Sequence, residues 1–195
     1  MAMVFGAIFI VELPDKTFIA ALVLSTRYRP LLVWIGVGLA FFVQTLIAVA
    51  AGGLLSLLPK TPVHVVAMVI FLAGSIVLFK SAPGADAEEE AQEQEFAAKA
   101  VAGRTGWGAI GASFLVLFAA EWGDLSQLLT ASMVAKHGHP ASVFVGAWLA
   151  LLVVSGLAVL AGRTLLRYLK LSVIHYVGAA VCLLLAGVTA YTIFV

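Results

Sequence analysis

Two carboxylates and an ammonium interrupt an otherwise apolar run at Glu12-Leu13-Pro14-Asp15-Lys16-Thr17, and the pattern returns 109 positions later as Glu121-Trp122-Gly123-Asp124-Leu125-Ser126. The chain holds ten acidic residues. Six of them (Asp86, Glu88, Glu89, Glu90, Glu93, Glu95) sit in one polar segment, and the other four are Glu12, Asp15, Glu121 and Asp124. Carboxylate oxygens are the ligands of hard divalent cations. Two acids held close also retain a proton between them, because both cannot easily ionise. A site of this composition therefore binds metal or protons in competition.

Those acids have a cost that demands compensation. An ionised acid at the centre of a membrane helix costs ~2.5–3.5 kcal/mol, so four cost ~10–14 kcal/mol if additive. Lys16 alone cannot neutralise four carboxylates, which leaves protons, bound cations or both. Positions i and i+3 share a helix face, so Glu12 and Asp15 are expected to point the same way, as are Glu121 and Asp124. Thr17 and Ser126 lie two residues further on and reach the same cavity only where the helix is distorted. Pro14 supplies a reason for distortion, since its missing N–H leaves the Ile10 carbonyl without a helical partner. Gly123 loosens the second copy without an obligatory break.

The elements that must carry these motifs follow from composition. Of 195 residues 63% are hydrophobic and 11% charged, with a mean hydropathy of +1.13, far from the roughly half-apolar, quarter-charged soluble norm. Long solid apolar runs mark a polytopic α-helical membrane protein and exclude a β-barrel, whose segments are short and alternating. The net charge of +1 gives no reason to expect nucleic acid. Cys182 is the single cysteine and cannot form an intrachain disulfide. The N-terminal run lacks a basic flank and carries Glu12 and Asp15, so it reads as a retained helix rather than a cleaved signal.

Six spans are expected, at about 4–25, 31–58, 63–79, 107–134, 141–166 and 173–195, each bounded by Pro, Gly or basic residues. They divide into a first three-helix unit (1–80), an acidic linker (81–106) and a second three-helix unit (107–195). The linker is expected to be solvated and partly helical. Loops one, three and five carry Arg27, Arg29, Lys80, Lys99, Arg104, Arg163, Arg167 and Lys170, against Lys60 and Lys136 on the other side. The positive-inside rule then places the linker in the cytoplasm and both termini outside. Beyond the motifs, an offset of 110 brings Pro30, Gly36 and Gly52 onto Pro140, Gly146 and Gly162. Units of three spans must insert in opposite senses. The expected fold is all-α, six transmembrane helices as two inverted three-helix repeats, with the site between them at the midplane.

The pattern E-x-G-D-[KR]-[ST], twice over in two three-helix halves around an acidic loop, resembles the GDT-type family of membrane cation exchangers. The resemblance covers essentially the whole chain. Glu12, Asp15, Lys16 and Thr17 match the first copy, and Glu121, Gly123, Asp124 and Ser126 the second, followed by Gln127. Pro14 replaces the family's Gly in the first copy, and Leu125 replaces its Lys or Arg in the second. The resemblance implies export of Mn2+ or Ca2+ as substrate against H+ as counter-ion, with Glu12, Asp15, Glu121 and Asp124 as metal ligands. Lys16, Thr17, Ser126, Gln127 and Gln44 are the supporting residues along the path. No cofactor and no catalytic group is expected, and the partners are the divalent ions and the bilayer.

Other readings are weighed on the same residues. The motifs contain no thiolate and no nearby His, which argues against a dedicated Zn or Cu site. His64, His137, His139 and His175 read as interfacial residues, with His137 and His139 placed to sample metal at the outer mouth. Gln44 and Ser155 occupy equivalent places and read as helix–helix hydrogen-bonding groups or as path lining. An exporter of an organic cation or amino acid would want an aromatic box, for which only Trp122 and Phe18 are at hand. A divalent-cation channel would differ by needing no counter-ion gradient. An intramembrane enzyme lacks an HExxH motif. Gly36/Gly38 and Gly52/Gly53 permit close helix packing, within the chain or in a homodimer.

Overall fold

The structure is a computed structural model. It describes the backbone of residues 1–13, 16–57, 59–100, 105–168 and 171–194, and their side chains except at 16, 60, 63, 86–90, 137, 161–168, 171, 174 and 192–194. All regular structure among these residues is helical: α1 (Ala2–Glu12), α2 (Lys16–Arg27), α3 (Pro30–Leu55), α4 (Lys60–Ser81), a 3-10 turn (Ala82–Gly84), α5 (Ala85–Lys99), α6 (Trp107–Ala120), α7 (Leu125–His137), α8 (Pro140–Tyr168) and α9 (Leu171–Phe194). Pro30 and Pro140 open α3 and α8, where a missing N–H costs nothing. Gly138 closes α7 at φ +66°, the left-handed cap that glycine adopts freely.

Three helices are long and apolar enough to cross a bilayer: Pro30–Leu55, His64–Gly84 and Pro140–Leu160. The pair α6 and α7 passes the same test when counted as one span. Their outer faces carry exposed Leu31, Leu39, Leu46, Val69, Leu72 and Leu149, an apolar surface too extensive for water. This is a membrane protein.

The structure corrects two expected spans. The first, at 4–25, is two helices, α1 and α2. The fourth, at 107–134, is also two, and α6 meets α7 at a bend of 73°. Gly123 does more than loosen the second break. Its φ of +79° lies where side-chain-bearing residues rarely go, and Asp124 follows in an extended conformation (φ −73°, ψ 166°). The linker is partly helical as expected, residues 85–99 forming α5, but it also packs on α2 and buries Ala85 and Phe96. Phe96 provides the apolar anchor that a fully solvated segment would lack.

Contact registers fix the relative directions of the helices. Gly36 lies against Ile110 and Ser113, Gln44 bonds Phe118, and Gly52 lies against Ala131 and Val134. Residue numbers rise together, so α6 and α7 run parallel to α3. Gly146 lies against Met1 and Val4, while Val154 and Ala158 cluster with Phe18 and Ala21. In the same way α1 and α2 run parallel to α8. Helix α4 opposes α9, with Ser75 bonded to the Ala179 carbonyl (2.9 Å) and Ser81 to His175 Nδ1 (3.3 Å). Each broken pair is thus cradled by the long helix of the other half. Gly36 with Ile110 and Ser113 mirrors Gly146 with Met1 and Val4, residue for residue, at offsets of 109 and 110.

Candidate metal centre

Both motifs lie at helix breaks. Glu12 is the last residue of α1 and is fully buried. Glu121 follows the last residue of α6 and is 2% exposed, and Asp124 caps the start of α7. One carboxylate oxygen from each of Glu12, Glu121 and Asp124 falls within 4.8 Å of the other two. Ligands on opposite sides of one Ca2+ stand ~4.6–5.2 Å apart, twice a metal–oxygen distance of ~2.3–2.6 Å. Three carboxylates in that envelope can therefore share one hard cation. The carbonyl ends of α1 and α6 meet beside them, and a helix C-terminus carries about half a negative charge. The N-terminal end of α7 at Asp124 contributes the opposite sign, so it is the three carboxylates that tip the balance toward a cation.

The shared-face expectation within the second motif is replaced by something stronger. Glu121 and Asp124 meet across a turn rather than along a helix, and Glu12 joins them from the other half of the chain. Asp15 lies outside the described residues, as do Pro14 and the Lys16 side chain. Among the described residues no histidine belongs to a candidate metal cluster. His175 lies near the start of α9, buried against the end of α4.

The break is held open by side chains. Ending α6 at Ala120 leaves its final carbonyls without helical partners. Glu121 N–H bonds the Leu117 carbonyl (3.0 Å), and Gln44 Nε2 donates to the Phe118 carbonyl (3.0 Å). Gln127 spans the turn twice: its Nε2 donates to the Glu121 carbonyl (2.9 Å), and its Oε1 accepts from Gly123 N–H (3.3 Å). Gln44 therefore is a helix–helix hydrogen-bonding residue. Ser155, expected to do the same, bonds the Leu151 and Leu152 carbonyls of its own helix. Because Gln127 sets the conformation of the turn carrying two candidate ligands, Gln127→Ala is expected to weaken divalent-cation binding by about 10–100-fold, as loss of a group supporting metal ligands does. Calorimetric titration of the purified variant would measure this. An unchanged affinity would show that the turn holds its shape without Gln127.

Beside the break lies a cavity of about 10 Å³ lined by Gln44, Thr45, Ser126, Gln127 and Thr130. Ser126 lines this cavity, whose walls include neither Glu121 nor Asp124. Thr17, its counterpart, is fully buried, and its hydroxyl has no partner among the described residues. Sequence reasoning missed Thr45 and Thr130. The signal was there: Thr45 adjoins Gln44, and Thr130 lies one helical turn from both Ser126 and Gln127.

Comparison with known proteins adds an independent line. The profile described as divalent cation/proton antiporter GDT1 matches residues 1–86 and 109–194. A GDT1-like protein of Synechocystis sp. is 29% identical over 189 residues, covering 93% of this chain and 91% of the relative. The chloroplastic protein PAM71 of Arabidopsis thaliana is 31% identical over 207 residues, covering 96% of this chain and 55% of its own length. The chloroplastic GDT1-like protein 1 of Oryza sativa subsp. indica is 31% identical over 208 residues, covering 96% and 60%. The chain thus spans little more than half the length of these plant relatives. No solved structure matches.

Proposed function

The chain belongs to the GDT1 family of divalent cation/proton antiporters, and from that premise we propose that it exports Mn2+ or Ca2+ from the cytosol in exchange for protons. The observation that carries this reading is the convergence of Glu12, Glu121 and Asp124 within 4.8 Å at two helix breaks. Asp15 completes the ligand set from the first motif, and Lys16 beside it supplies the only cationic side chain in either motif. Protons and metal compete for the same oxygens, so loading one releases the other. That competition is the coupling.

The architecture is six crossings in two inverted halves, with α1–α2 and α6–α7 each a broken span. The parallel registers of α3 with α6–α7 and of α8 with α1–α2, and the antiparallel register of α4 with α9, are those that such a topology requires. Two stretches of equal length match the family profile on either side of the linker, as a duplicated unit would. Discontinuous helices at the repeat interface are where secondary transporters hold their ions. The basic loops place α5 in the cytoplasm and both termini outside, in a bacterial plasma membrane. An organic-cation cage is disfavoured, because Trp122 is 63% exposed and Phe18 is committed to an apolar cluster.

Proteoliposomes loaded with a Mn2+- or Ca2+-reporting dye test the proposal. Flux is expected to respond to an imposed pH gradient and to move protons in the opposite direction. Metal flux indifferent to the gradient would identify a channel instead, and gradient-driven amine flux without metal flux would overturn the choice of substrate.

A further inference from the structure

The cavity beside the second motif has a repeat-related counterpart, and the two differ in character. Offsets of 109 and 110 carry Gln127, Thr130, Gln44 and Ala48 onto Phe18, Ala21, Val154 and Ala158. These last four are the complete buried set of a separate apolar cluster, each at most 1% exposed. Equivalent positions thus form a polar notch at one break and a more apolar plug at the other, although the hydroxyls of Thr45 and Ser126 are matched there by those of Ser155 and Thr17.

The two lie on opposite sides of the carboxylates. The notch follows α7 away from Asp124 and α3 from Gln44 onward, toward the ends of those helices at Leu55 and His137. The plug follows α2 away from the first motif toward Arg27, and α8 toward its own C-terminal end, where Arg163 and Arg167 follow. Helix α5 packs over α2 on that side.

A cation moving through a membrane must keep oxygen or water around it, and an apolar constriction stops it by excluding water. A void of about 10 Å³ is the size that holds one water when two to four polar groups face it. Here five polar residues line it, together with Phe41, Ala48 and Leu151. The plug carries no amide, and the Ser155 hydroxyl beside it is taken up by the Leu151 and Leu152 carbonyls of its own helix.

We infer that the Gln44–Thr45–Ser126–Gln127–Thr130 notch is the hydrated route by which ions reach the carboxylates, from the face bearing the ends of α3 and α7. Its apolar counterpart at Phe18, Ala21, Val154 and Ala158 is the closed gate toward the basic-loop face. The structure is one of two access states, sealed on the side of Arg27 and α5. Alternation requires the plug to part, while the notch is polar in either state. This rests on the exchanger reading, and its test does not depend on transport.

In a Cys182→Ala background, single cysteines are placed at matched positions, Thr130→Cys against Ala21→Cys and Thr45→Cys against Ser155→Cys. The full-length protein in liposomes is treated with 2-aminoethyl methanethiosulfonate, a small cation, and modification is read by mass spectrometry. Thr130→Cys and Thr45→Cys are expected to react at least about tenfold faster than their partners, the factor set by a predominantly one-sided population. Adding Phe18→Gln, which installs the amide that Gln127 carries at the matched position of the second motif, is expected to raise the reaction of Ala21→Cys toward that of Thr130→Cys. Equal or inverted rates in the folded pairs, or a plug cysteine that stays inert when Phe18→Gln is added, overturn the inference. The second pair exchanges hydroxyl for thiol and keeps the test available if Ala21→Cys does not fold. If the asymmetry appears while Mn2+ and Ca2+ flux do not, the substrate assignment fails and the gate stands.

Discussion

Glu121→Gln is expected to abolish pH-driven Mn2+ flux and to weaken Mn2+ binding by more than about 100-fold. Groups that only support a metal ligand cost ~10–100-fold when removed, and Glu121 is placed to be a ligand itself. The substitution preserves volume, and Glu121 is 2% exposed, so the effect isolates charge. Removing one of three carboxylates also removes one of the groups that exchange protons for metal, so neither direction of exchange survives. A binding isotherm for the purified variant, paired with dye-reported flux, separates the two losses. Wild-type affinity with lost flux would make Glu121 a proton carrier rather than a ligand. Wild-type behaviour in both would remove the three-carboxylate centre from the mechanism. Glu12→Gln is expected to behave alike, because Glu12 supplies the one described ligand from the other half of the chain.

How far the site could be read from residues alone depended on which property carried the signal. The acids announced themselves by rarity: four intramembrane carboxylates at a repeated spacing have few structural uses. The case for a repeat was legible for the same reason, because polar matches at a fixed offset are not a by-product of shared hydrophobicity. The breaks were only half legible, through Pro14 and Gly123. Apolar runs at 4–25 and 107–134 have the length of continuous spans, and the turn at Gly123 exists because its φ is positive, a property no periodicity encodes. The i to i+3 argument therefore brought Glu121 and Asp124 together for the wrong geometric reason, while its other pair includes Asp15, outside the described residues. The linker misled in the other direction. Its charge run indicated solvation, but Ala85 and Phe96 are enough to dock α5 on α2. The polar notch was half visible. Gln44 stood out in its span, whereas Thr45 and Thr130 are ordinary helix residues until α3 and α7 are laid side by side. The matching apolar cluster was invisible for the opposite reason, since Phe18, Ala21, Val154 and Ala158 look like any other membrane residues.

The close approach that lays α3 beside α7 leads to a second large effect, on assembly rather than on chemistry. A Cβ added at Gly52 would collide with the Ala131 carbonyl and stand 2.8 Å from Val134 Cβ and 2.9 Å from Ala131 Cα. No rotamer relieves a clash with backbone. The helices must move apart, which opens the seam where Gln44 caps α6 and where the notch is formed. Overpacking of this kind costs ~1–3 kcal/mol, and for a chain of this size each kcal/mol lowers Tm by roughly 2–4 °C. Gly52→Ala is therefore expected to lower Tm in detergent by roughly 2–12 °C. The adjacent Gly53 provides the control, because nothing lies within 4 Å of a Cβ there. Gly53→Ala removes a poor helix former at a gain of up to about 1 kcal/mol, so its Tm is expected to hold or rise. Equal Tm values for the two variants would mean that α3 and α7 do not pack at this distance. A Gly52→Ala protein that keeps its fold is further expected to lose Mn2+ affinity together with Tm, because the capped α6 carbonyl and the Gln127-braced turn share that seam.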